Sequence, residues 1–79
     1  MPVVMRVGSC TFLFWASDRG EPPHIHVRCG RRKAKFWLTP GVRQARNQGF
    51  KPHELTELRA VVIEHAAFFI ERWHEFFDH

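Results

Sequence analysis

The sequence predicts a small α+β domain, an antiparallel sheet of three or four strands packed against one long C-terminal helix. Three observations lead there. Short apolar runs between Gly and Pro punctuation fill the chain up to about residue 51. A stretch centred on Gly30 alternates apolar and cationic residues on both of its sides. From Pro52 the apolar period changes to three and four, the spacing of a helix face.

The elements follow in order. Thr11 to Ala16, T-F-L-F-W-A, reads as a buried strand ended by the D-R-G-E-P-P turn from Asp18 to Pro23. Ile25 to Cys29 and Lys33 to Thr39 flank C-G-R-R and read as a hairpin. With Gly30-Arg31 as its two-residue turn, Cys29 faces Arg32, Arg28 faces Lys33, Val27 faces Ala34, His26 faces Lys35, Ile25 faces Phe36 and His24 faces Trp37. One face then carries Ile25, Val27, Ala34, Phe36 and Leu38, and the other His24, His26, Arg28, Lys33, Lys35 and an exposed Trp37. A slip of one residue would put lysines in the core, which supports this register. Val42 to Gln48 reads either as a polar edge strand or as an extended loop, basic in both cases through Arg43 and Arg46.

Pro52 suits a first helical turn. Leu55, Leu58, Val62, Ala66, Phe69, Trp73 and Phe76 make the apolar stripe of a helix running to Phe77, about 39 Å long at about 1.5 Å per residue. Val61, Phe68, Ile70 and Phe77 widen the apolar surface beyond one stripe, so a homodimer or another chain is expected to cover the remainder.

Residues 1–79 are read as a single domain, small enough that its net stability is thin. Eight Phe and three Trp nevertheless provide for a real core. The formal charge of +4 favours an acidic partner, and only Asp18, Glu21 and Glu54 are acidic in the first 54 residues. No apolar run approaches the roughly 20 residues that span a bilayer. Cys10 and Cys29, with no apparent leader and no metal-type spacing, suggest reduced thiols in a cytoplasmic protein, a disulfide being the alternative.

The basic face raises the functional question. Arg28 and Lys33 placed opposite each other repel unless an anion lies between them. His24 and His26 project from one strand face, near enough to share a metal or a phosphate. A metal needs a further ligand, for which Asp18 and Glu21 are the nearby carboxylates, but Lys35 facing His26 argues against a cation; no metal and no cofactor are assigned. A metal-independent, ribonuclease-like reading makes His24 and His26 the acid and base and Lys35 the group that stabilises charge on a phosphate. Arg28, Arg31, Arg32, Lys33, Lys35 and Trp37 are the candidate nucleic-acid-binding residues, Trp37 as a stacking platform. A solvated basic face is the bland alternative. His53, His65 and His74, and Glu64, Glu71 and Glu75, are expected at boundary or surface positions of the helix.

The pattern F-x-F-W-x-S-D-x-x-x-P-P-H-I-H-V, with A-K-F-W-L at Ala34 to Leu38, N-Q-G-F at Asn47 to Phe50 and W-H-E-F-F at Trp73 to Phe77, resembles a small prokaryotic family of unknown function. Its members are often encoded beside a second short protein, in suspected toxin–antitoxin pairs. The resemblance runs from Met1 and Pro2 to Phe77, with Trp15 where Tyr is expected and a C-G-R-R turn more basic than usual. It implies a cytoplasmic member of a two-protein operon with a small protein partner, the toxin being one role, and draws attention to His24, His26, Pro22, Pro23 and Asp18. It supplies no catalytic mechanism. A non-enzymatic nucleic-acid-binding or transcription-regulatory module, and a structural oligomerisation subunit, stand as alternatives.

Overall fold

The computed structural model describes residues 3–78; Met1 and Pro2, where the resemblance begins, lie outside them. Five antiparallel strands, β1 (Val3–Val7), β2 (Cys10–Leu13), β3 (His24–Cys29), β4 (Arg32–Trp37) and β5 (Arg43–Gln48), form one sheet in chain order, followed by α1 (Pro52–Glu64) and α2 (Ala66–Phe77). The architecture is α+β, with more strands than the three or four expected and two helices instead of one. β1 is the unexpected strand. Its V-V-M-R-V sequence pairs with β2 through an irregularity between Val3 and Met5. Val42 to Gln48 resolves in favour of the strand, because Gln48 to Arg43 pair with Lys33 to Trp37, with a shift between Lys35 and Phe36.

The hairpin has the register counted from the sequence, all six pairs from Cys29–Arg32 to His24–Trp37 included. Gly30 makes the reversal with φ of 64°, a conformation that a Cβ disfavours. Across β2 the same alternation sets Phe12 opposite Val27 and Cys10 opposite Cys29 on the covered face. That neighbourhood closes a Cys10–Cys29 disulfide, with the two Cα atoms 4.2 Å apart. The expectation of reduced thiols is therefore corrected: the two cysteines are 19 residues apart in sequence, and only strand pairing brings them together.

Both helices lie over that face. Phe69 stacks on Phe12 at 5.7 Å between ring centroids, and Trp73 meets Phe14 edge-on at 5.2 Å. Phe36, Ile25, Val27 and Val62 complete the centre of the core. The predicted helix breaks at His65, whose φ and ψ are −107° and 12°. Apolar residues at Leu55, Val62, Phe69 and Phe76 keep a seven-residue spacing, and on a straight helix such a stripe drifts by about 20° per repeat. A bend between the halves lets each direct its stripe at the twisted sheet. It also buries most of the surface expected to need a partner, since Phe77 is in the core and Val61 and Ile70 pack against it. Phe68 and Ile63 stay exposed. No helix among the described residues is long and apolar enough to cross a membrane.

Candidate nucleic-acid interface

The opposite face of the sheet is exposed at Arg6, Arg28, Lys33, Arg43 and Arg46, whereas Leu13 and His24, on the same side, are buried at its margin. Reading the strand pairings across, one row joins Arg6, Thr11, Arg28, Lys33 and Gln48, the next Leu13, His26, Lys35 and Arg46, and the last His24, Trp37 and Arg43. Six cationic side chains, Arg6, Arg28, Lys33, Lys35, Arg43 and Arg46, thus belong to this side. Arg28 lies directly opposite Lys33 and Lys35 opposite Arg46, two like-charge pairs that the sheet itself does not relieve. Among the described residues only Lys35 of the six has a carboxylate partner, Glu21, at 3.0 Å. Its ammonium also sits 4.4 Å from the centre of the Trp37 ring.

Arg6, Arg43 and Arg46 join the face without being singled out by the sequence. Arg6 lies on the strand that the sequence does not disclose, whereas the basic character of Arg43 and Arg46 is visible there without their facing. Other expected members separate from the face. Arg32 follows the alternation to the helix side, where its guanidinium pairs with Glu54 and lies 5.1 Å from the Phe50 ring centre. Arg31 is in the turn and exposed. Trp37 is half-buried, edge-on to His24 at 5.4 Å, and is not the open platform expected.

The histidines divide as well. His26 stays partly accessible, its side chain 22 % exposed. His24 is 0 % exposed, against the reading that put both imidazoles on an open face. At the end of β3 the sheet margin is closed by Trp73 of α2, 4.9 Å from the His24 ring, and by the turn that carries Asp18. A buried His24 cannot meet a bound phosphate alongside His26, so the two-histidine acid–base arrangement has no geometric basis.

Asp18 organises this margin. A short 3₁₀ turn, Ala16–Asp18, places its carboxylate where Oδ2 accepts the Trp15 backbone N–H at 2.9 Å and the His26 Nε2–H at 3.0 Å. On its other side the Pro22 carbonyl accepts a hydrogen bond from His24 Nδ1 at 2.9 Å. Burial lowers the His26 pKa below its ordinary value; the nearby Asp18 charge pulls the other way, and His24 and Lys35 add to the lowering. Held in place by Asp18 and favoured in its neutral form, His26 borders a cleft of about 470 Å³ lined also by Trp15, Glu21, Lys35 and Arg46.

The fold and this surface together define a small α+β domain with one helix-covered and one basic sheet face. The chain belongs to the family described as Domain of unknown function (DUF4160), which matches residues 10–74. No curated protein and no solved structure matches it significantly.

Proposed function

We propose that this protein is a toxin–antitoxin-type component that binds RNA on the basic face of its sheet and works with a short cognate protein. The supporting observation is the set of cross-strand cations, Arg28 against Lys33 with no carboxylate between them and Lys35 against Arg46 with only Lys35 paired, to Glu21, and Arg6 and Arg43 beside them. Phosphates between such pairs turn repulsion into attraction and supply the salt-sensitive part of affinity. The two-protein setting and the partner rest on the sequence resemblance. With one accessible histidine in place of two, the geometry favours holding RNA over cleaving it, and so favours the non-enzymatic form of this reading.

Fluorescence anisotropy with a labelled single-stranded RNA tests the interface. The affinity is expected to fall steeply between about 50 and about 200 mM salt, and the Arg28→Ala/Lys33→Ala double variant to lower the slope of log K against log salt by about 1.4, about 0.7 for each phosphate left without its cation. Binding indifferent to salt, or untouched by the double variant, removes the proposal. Expression in a bacterial host tests the toxin role: growth arrest is expected, and arrest unchanged by His26→Ala excludes that imidazole from the mechanism.

A further inference from the structure

Inside the sheet margin two hydrogen-bond acceptors face each other. Because the Pro22 carbonyl can only accept, Nδ1 of His24 carries a proton, and an imidazole with that single proton keeps a lone pair on Nε2. That nitrogen is buried and has no hydrogen-bond partner, although it is 3.1 Å from Asp18 Oδ2. Two lone pairs at that distance, out of contact with water, call for a positive charge between them. His26 Nε2 aims at the same carboxylate oxygen from 3.0 Å, and the donor atoms of Asp18, His24 and His26 lie within 4.8 Å of one another.

We propose that Asp18, His24 and His26 bind a divalent transition-metal ion of the zinc class. Two imidazoles and one carboxylate are a donor set suited to such ions, and it leaves further coordination positions for water. The surroundings match as well. The bond from His24 Nδ1–H to a backbone carbonyl is the kind that orients a ligating imidazole, and the Trp15 N–H steadies the carboxylate in the same way. His26, the partly accessible member, borders the cleft and gives the ion its way in. Its Nε2 proton leaves on binding while Nδ1 takes one from water, so the ring changes tautomer and stays neutral. Lys35, opposite His26, is drawn aside by Glu21 and Trp37 and does not compete for the position.

The test uses the full chain, stripped of metal, titrated with Zn²⁺ by calorimetry and with Co²⁺ by visible absorption. One ion per chain is expected. Uptake persists in the His53→Ala/His74→Ala variant, which removes two exposed helix histidines, and weakens by at least about 100-fold in His26→Ala, the upper end of what removing a group that merely supports a ligand costs. His24 and Asp18 are buried and their variants are liable to unfold, so nitrogen-15 NMR on the wild type is the second measurement: Nε2 of both His24 and His26 should shift with Zn²⁺ while His24 Nδ1 keeps its proton. Absent uptake, uptake undiminished in His26→Ala, uptake abolished in His53→Ala/His74→Ala, or an unmoved His24 Nε2 each overturns the proposal. The Arg28→Ala/Lys33→Ala variant should bind the ion normally, which keeps this result separate from that of RNA binding.

Discussion

A single oxygen of Asp18 receives the Trp15 N–H and the His26 ring and stands 3.1 Å from a third group, His24 Nε2. At this scale the testable quantity is the proton affinity of His26 in the metal-free protein. Its native pKa is lowered, chiefly by burial, from the ordinary 6.5. Between about 6.5 and that lower value the unfolded chain binds more protons than the native one, so stability rises with pH there. The contribution of His26 is complete above about 6.5 and is lost as pH falls through the native pKa. Urea unfolding near pH 7.5 and pH 5.5 should therefore show a larger loss on acidification for the wild type than for His26→Gln. An NMR titration midpoint for His26 at or above that of free histidine contradicts it.

At the scale of elements, each side of the sheet is held differently. The disulfide closes a loop between β2 and β3, and a loop of its 19-residue separation contributes about 3 kcal/mol in the chain-entropy account. Cys10→Ser/Cys29→Ser, or reduction of the wild type, should lower the melting temperature by on the order of 15 °C; a change of a degree or two would mean that the bond constrains little. Between sheet and helix, Phe69 is wholly buried on Phe12, and Phe69→Ala should cost about 3–5 kcal/mol in denaturant unfolding. The hairpin was legible because its alternation is local: residues two apart share a face, and Gly30 fixes where counting begins. β1 was not, since V-V-M-R-V has little alternation and becomes a strand by adding to the edge of β2. The interruption at His65 was equally hidden, with no Gly in the helical segment and no Pro after its first residue to announce it.

Over the whole molecule, charge follows the two faces of the sheet. Acidic side chains gather on the helices, from Glu54 to Glu75, while six cations belong to the sheet's other side, which is where the RNA and salt experiments apply. Of the candidate site, the placement of His26, Arg28, Lys33 and Lys35 on that side was readable from period-two counting. The sequence by itself determined the α+β class, the hairpin register and the separation of grease from charge, because each depends on neighbours within a few residues. The tertiary structure decided that His24 is enclosed by Trp73 and Asp18, that Cys10 reaches Cys29, and that Arg32 turns to Glu54. Those outcomes depend on which distant segments meet, and no local spacing encodes that.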